Sequence, residues 1–249
     1  MAWTMLVAVL SGFLVAQIAS LVTTIYLHRG AAHRAVTYHP ALAFLMDLVL
    51  WLTTGIRRDE WVAVHLKHHA HPDEEGDPHS PILLGLWAVQ LGNYFLYRKA
   101  IREPGTMDYA KHIKLSWAER HVFRFSFLGL AIGTAGLCIV LGFWTGLLAA
   151  FTHLLLYLFF LNNLVNGWCH ARGYKNFEKV VAFNNRLIAW ITVGEGLHNN
   201  HHHEPGNYSL RRSRPTGRFG EVDLGLLAIR ALCALGLAEP RHSRDRTPA

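Results

Sequence analysis

Charge is what this 249-residue sequence has little of. Asp, Glu, Lys and Arg together make up 16% of it, against roughly 25% in a soluble domain, while hydrophobic residues reach 51%. Two stretches, Met1–Leu27 and Phe125–Leu161, contain none of the four charged types. An ordinary water-soluble surface is thereby excluded. The net charge of +7 does not point to nucleic acid, because all 24 Lys and Arg lie outside those two stretches. They border apolar spans in the manner of cytoplasmic membrane flanks. Cysteine is scarce as well. Cys138, Cys169 and Cys233 show no CxxC spacing and no paired framework, and read as reduced, mostly buried thiols. There is no ferredoxin-type cysteine run, no His-Pro-Gly-Gly haem signature and no glycine-rich flavin fingerprint. Internal repeats are absent too.

What is present begins with the apolar runs. The first, over 3–27, is long enough to cross about 30 Å of hydrocarbon as a helix, and it lacks the basic start and small-residue cleavage site of a signal peptide. The second, over 123–166, has room for two spans joined near Gly142–Gly146, with no Lys or Arg at the turn. A third run, over 41–55, is short for a span and carries Asp47. The region Arg57–Arg120 reads as a cytoplasmic loop with surface helices, containing a rigid acidic turn over Pro72–Pro78. Gly220–Leu237 has the period of an amphipathic helix, and 239–249 reads as a disordered tail. The expected fold is all-α and integral to the membrane, one domain over 1–238, with a cytoplasmic histidine-rich helical cap.

Histidine is abundant: 17 residues, clustered inside the chain, where no expression tag would lie. Four blocks stand out: His28-Arg-Gly-Ala-Ala-His33, His65-Leu-Lys-His68-His69, Asn166-Gly-Trp-Cys-His170 and His198-Asn-Asn-His201-His202. On a helix, residues i and i+4 share a face. His65 and His69 therefore point together, as do His198 and His202, and Asn166 and His170. Adjacent histidines diverge by about 100°, so each HxxHH block can serve two metals at once. Imidazole suits iron, copper, zinc and nickel alike, so the metal is not named by ligand type. If His28 and His33 reach the same metals as His65–His69, both flanks of 41–55 lie on one side of the membrane. That stretch is then a re-entrant or interfacial helix.

The pattern HxxxxH, HxxHH, NxxxH, HxxHH resembles the membrane fatty acid desaturases, including the stearoyl-CoA desaturases, and most closely the bacterial Δ9-type acyl desaturases. The shared texts stand here as YLHRGAAHR (Tyr26–Arg34), EWVAVHLKHH (Glu60–His69), DPHSP (Asp77–Pro81) and GEGLHNNHH (Gly194–His202). The resemblance runs from about residue 20 to residue 237. It implies a di-iron centre, with His28, His33, His65, His69 and His201 on one iron. His68, His170, His198 and His202 fall on the other, with Asn166 acting through a water. Leu197 departs from a position that is aromatic in many relatives, His203 extends the last block, and one span precedes the first box where vertebrate relatives have two. That leaves a truncated N-terminus or a leaner topology open.

The implied activity is O₂-dependent introduction of a cis double bond, near C9, into a saturated fatty acyl chain. Hydrogen abstraction from an unactivated methylene needs an oxidant that side chains cannot provide, so a cofactor carries it. Two Fe ions, O₂ as co-substrate and an external electron donor such as ferredoxin with its reductase are therefore expected. So are an acyl substrate on CoA, carrier protein or phospholipid, and a place in the lipid bilayer, with the bacterial inner membrane as location. Candidates to orient the imidazoles are Asp73, Glu74, Asp77, Glu195 and Asn199, Asp77 above all, since DPHSP follows the second box at the family's spacing. Trp61, one turn before His65, is a candidate for an acyl tunnel. Arg57, Arg58 and Lys67 could meet a phosphate-bearing head group. His39, His112, His121 and His242 read as surface residues, and His71, His79, His203 and the intramembrane His153 stay open. The nearest rival activities are hydroxylation and decarboxylation of alkyl or acyl chains on the same site. A non-enzymatic metal-binding membrane protein is the remote one.

Overall fold

The computed structural model describes residues 2–212 and 220–241. Its elements follow in chain order. α1 (Ala2–Val22) continues without a break as a π-helix through Ala32, then β1 (Val36–Tyr38), α2 (Pro40–Thr53) and α3 (Arg58–Ala70). The short α4 (Pro81–Leu84) leads into α5 (Leu86–Ala100), and α6 (Ser126–Leu141) into α7 (Phe143–Leu155). From Leu156 the helix runs on, largely π-helical, to α8 (Cys169–Ala171). The remainder is α9 (Arg186–Ile191), α10 (His198–His203), α11 (Leu224–Ala234) and β2 (Ala238–Pro240).

Among the described residues, two helices are long and apolar enough to cross a bilayer, Ala2–Ala32 and Phe143–Ala171. Both extend past the apolar runs into the histidine blocks, because wide i→i+5 turns keep the backbone bonded where the hydropathy has ended. Their outer faces are apolar and open, as at Trp3, Leu14 and Trp144, so a membrane rather than water must cover them. α6 has 16 residues, short of a full span by itself, and stops at Gly142, whose φ is +83°. Glycines let the layer close: a Cβ on Gly12 would collide with Ala149 O and Thr152 on α7, and one on Gly133 with Leu52 O at the end of α2.

α2 and α3 form a pair bent by 87°. The bend is sealed by polar contacts. Tyr26 Oη donates to Asp47 (2.9 Å) and Arg58 makes a two-pronged pair with Glu119 (2.7 Å). A core of Val22, Ile25, Leu27, Leu50, Leu226 and Ile229 packs the first span against α2 and α11. A disordered tail is expected from residue 239, but the first two of those residues lie in a strand. Glu239 and Pro240 belong to β2, which pairs antiparallel with β1 (Val36↔Pro240, Tyr38↔Ala238). His242 and the remainder of the expected tail, 242–249, lie outside the described residues.

Candidate metal centre

Four elements bring the histidine blocks together. In the first, His33 N donates to His28 O at 3.1 Å, an i→i+5 bond. In an α-helix, residues five apart would diverge by about 140° at 100° per residue. The π turn swings them to one side, and the two rings sit 5.0 Å apart. On α3, His65 and His69 share a face with ring centroids 4.6 Å apart, and His68 points elsewhere. The second long helix ends by placing His170. The six residues of α10 place His198, His201 and His202, while the intervening Asn199 and Asn200 anchor its back. Asn184 Oδ1 accepts from Asn199 N (2.9 Å) and Asn200 N (3.2 Å), and Asn200 Nδ2 donates to Leu210 O and Glu221, each at 2.9 Å.

The imidazole nitrogens gather in two groups. His28, His33, His65, His69 and His201 form one, and His68, His170, His198 and His202 the other, each within 4.8 Å. Nε2 atoms face each other at 2.7 Å (His33–His65), 2.8 Å (His69–His201) and 2.9 Å (His28–His201) in the first. In the second the spacings are 3.0 Å (His170–His198), 3.1 Å (His198–His202) and 3.2 Å (His68–His170). Nitrogens held about 2.0–2.1 Å from one ion at right angles would be about 3 Å apart. Both groups fit a metal on that test. They are adjacent, with His69 and His202 stacked at 4.4 Å.

Ring protonation favours ligation. Burial holds His65, His69, His198, His201 and His202 well below the ordinary histidine range, and the neighbouring imidazoles add to it. Neutral imidazole is the form that binds metal.

Carboxylates stand behind three of the rings. His68 Nδ1 lies 2.9 Å from both oxygens of Asp77, His170 Nδ1 2.7 Å from Asp73, and His28 Nδ1 2.8 Å from Glu195. Such a partner fixes the ring and raises its basicity. Burial pushes Asp77 upward, but the bond and charge of His68 outweigh it and hold the carboxyl below its usual range. Glu195 is likewise pushed up by burial and held down overall by His28 and Arg29. Two strained turns do the aiming. Asp73 has φ +60°, and Val193, before Gly194-Glu195, has φ +59°, a costly conformation for a β-branched residue.

The other candidates are placed differently. Asn199 meets no imidazole: its Oδ1 accepts from Asn176 N and Phe177 N, and its Nδ2 donates to Phe177 O and Ala182 O, all at 2.9 Å. Glu74 is exposed. Lys67 pairs with Glu103, and Arg58 with Glu119, and neither lines the cavity described next. The sequence alone gives His79 no role. It is buried, stacks on His68 at 4.6 Å, and is pushed down to about 3 by burial and by His68. His71 contacts Tyr109 Oη, His203 stacks on Phe177, and His112 contacts Ala31 O.

An apolar cavity of about 400 Å³ adjoins the first group. Its walls include His28, His65, Glu195 and Asn166 near the imidazoles, Trp61 stacked on His65 at 4.8 Å, and Arg57. Sequence reasoning missed Asn93, Tyr97 and Arg98 on α5, which form a polar stretch of wall. Their i, i+4, i+5 spacing on a partly buried helix is the one signal they carry.

A family model described as fatty acid desaturase matches residues 2–219. An sn-1 stearoyl-lipid 9-desaturase of Anabaena variabilis is 29% identical over 219 residues, covering 86% of this chain and 76% of the relative. A hex-5-enoyl-[acyl-carrier protein] acetylenase of Moorena producens is 30% identical over 236 residues (85% and 69%). A stearoyl-CoA desaturase of Capra hircus is 29% identical over 254 residues (94% and 66%).

Proposed function

The chain belongs to the fatty acid desaturase family and is by that membership an acyl desaturase, and we propose that it introduces a cis double bond near C9 of a saturated acyl chain at a histidine-held pair of irons. The observation that carries this reading is the pair of imidazole groups at metal-ligand spacing beside an apolar cavity. His28, His33, His65, His69 and His201 would hold one ion. His68, His170, His198 and His202 would hold the other, with Asn166 completing it.

When bound, two irons would supply, from O₂ and two external electrons, an oxidant able to remove hydrogen from an unactivated methylene. The overall balance is an acyl –CH₂–CH₂– plus O₂, two electrons and two protons, giving –CH=CH– and two waters. The chain's own residues hold and orient. Glu195, Asp77 and Asp73 fix the tautomers of His28, His68 and His170, leaving Nε2 free to face the centre. Trp61 and Val64 form apolar wall beside His65 and keep water from the reacting carbons.

The relatives' names include a lipid, an acyl-carrier protein and CoA as acyl carriers, and the head group expected here is polar and phosphate-bearing. Arg57 and Arg98 on the cavity wall are its expected contacts. Electrons come from a separate donor of the ferredoxin type, since the sequence has no redox signature of its own. That donor meets the centre on the cytoplasmic side of a bacterial inner membrane.

The test is expression with a reductase system in a host of known lipid profile, followed by mass spectrometry that locates double bonds. New monounsaturated chains, absent for His68→Ala, are expected. Hydroxylated or shortened chains would transfer the reading to a hydroxylase or decarboxylase. No product from a metal-loaded protein would leave a metal-binding membrane protein.

A further inference from the structure

The cavity beside the first imidazole group is closed on one side and open on another. On the closed side, His153 Nε2 donates to Thr53 O (2.6 Å) and Tyr157 Oη pairs with Thr23 Oγ1 (2.8 Å), which pins the second long helix to α2 and α1. Across from these contacts the lining is Ser126, Phe127 and Leu130 of α6, with Leu154 and Leu158 of the long helix. The two helices form a hairpin about Gly142. Near the turn it is shut, since a Cβ on Gly146 would fall 2.4 Å from Cys138 Cα. At its other end the cavity runs between them. Phe127 lies 15 residues before Gly142 and Leu154 12 after it, so the two are at about the same depth. Both line the cavity, yet Phe127 is 81% and Leu154 43% exposed. They are the lips of an opening. The outward residues around them, Leu128, Ile132 and Phe151, are apolar and exposed, so the opening gives onto lipid.

The third lip is α5. It crosses the long helix where Asn93 Nδ2 donates to Asn163 Oδ1 (2.9 Å) and Asn163 Nδ2 to Gln90 O (2.6 Å). Asn163 is 20 residues beyond Phe143, about 30 Å along the helix at about 1.5 Å per residue, which matches the hydrocarbon thickness of a bilayer. α5 therefore lies at the membrane surface, and its sequence suits that place. Trp87, Leu91 and Phe95, four residues apart, form an exposed apolar row. The helix then runs out into Arg98, Lys99 and Arg102, a basic cluster of the kind that meets lipid phosphates. Tyr94, 46% exposed, and Arg98 line the cavity as well, so the opening extends from the hydrocarbon up to the head-group level.

We propose that this slot admits the acyl chain of a membrane phospholipid sideways from the bilayer, so that the substrate is esterified to a lipid and stays in the membrane throughout. The proposal rests on the desaturase reading and names its acyl carrier. Methylenes drawn through water lose the favourable transfer into an apolar medium, and a lipid-facing slot spares the chain that cost. The phosphate rests by Arg98, Lys99 and Arg102 while the chain swings in past Tyr94, Phe127 and Leu154 toward Trp61 and His65.

The experiment uses the metal-loaded protein in nanodiscs of phosphatidylcholine and phosphatidylglycerol, in two parts. Without an electron donor, phosphatidylglycerol carrying a diazirine midway along one acyl chain is photolysed, and adducts are located by peptide mass spectrometry. Trp61, packed against the rings of His28 and His65, should be labelled. Leu154→Trp combined with Leu158→Trp, which narrows the slot, should cut that labelling about tenfold. Should that variant fail to fold, the wild-type labelling and the second part decide alone. Adducts confined to outer positions such as Trp3 and Trp144 would overturn the proposal. With a donor, deuterated stearoyl chains are offered on phosphatidylglycerol, on CoA and on acyl-carrier protein, and intact products are identified by mass. The phospholipid should be desaturated about tenfold faster than either thioester. A thioester turned over as fast or faster would overturn the proposal and leave the desaturase reading standing. Labelled Trp61 with no unsaturated product from any carrier would sink the desaturase reading and keep the lateral slot.

Discussion

In the first imidazole group, His28 leans on Glu195 at 2.8 Å, and the guanidinium of Arg29 stands 3.7 Å behind that carboxylate. In the second, His68 and His170 lean on Asp77 and Asp73, and no Lys or Arg pairs with either aspartate among the described residues. The first group has five imidazoles and one carboxylate whose charge is shared; the second has four and two that are not. A carboxylate behind an imidazole makes it a more basic ligand, and a guanidinium beside that carboxylate takes part of the effect away. The second group should therefore be the more electron-rich despite its smaller ligand count.

The largest effects would come from removing ligands on either side. His65→Ala and His68→Ala should each abolish product, and each preparation should retain about one metal per chain by elemental analysis, since the group that is not mutated keeps all of its imidazoles. Loss of both metals in either variant would show that the groups do not load independently. Next come the carboxylates. Asp77→Asn and Asp73→Asn should each weaken metal retention about 10–100-fold in a chelator competition, in the range typical of such partners. Glu195→Gln should cost less, because Arg29 already blunts that charge. A larger loss from Glu195→Gln would reverse the ranking of the two groups.

Acid should act on both groups alike. His33, His65, His69, His198, His201 and His202 are held well below the ordinary histidine range. A depressed folded-state value means that the unfolded chain binds more protons. The stability of the metal-stripped protein should thus be full above about pH 6.5, the unfolded histidine value, and fall as pH drops below it. Thermal unfolding in detergent across that range is the check, and a flat profile would contradict the burial that sets these shifts. The smallest effect belongs to Asn199→Ala. It should cost stability, about 1–3 kcal/mol, while leaving metal content unchanged, because its four bonds go to the 176–182 loop.

Much of this centre is legible in the sequence, and for a physical reason. HxxHH repeats the pitch of an α-helix, so His65, His69, His198 and His202 reveal their common face without coordinates. His28 and His33 do not, because their five-residue spacing converges only on a π turn, and an apolar run such as Thr23–Leu27 has no periodicity from which to read one. Asp73 as partner of His170 depends on a left-handed turn and a contact across 97 positions. Asn93, Tyr97 and Arg98 were hidden for another reason. α5 reads as a surface helix of a polar loop, and only the packed layer shows which side faces the cavity. The strand at Ala238–Pro240 has three residues, one of them proline, and local pattern cannot foresee it.

The pairing of Arg29 with Asp223 bears on the order in which the protein is made. The guanidinium is 1% exposed and sits 2.8 Å from a carboxylate 194 positions later in the chain, with a further bond to Tyr208 O. When the first span leaves the ribosome, that charge has nothing to neutralise it. The segment around His28 therefore has reason to stay hydrated and open until the C-terminal quarter has been synthesised and α11 has docked. Gly225, where any side chain would strike Arg29, keeps the late fit tight. A metal held by His28 would then be loaded late, after α11 has closed over Arg29.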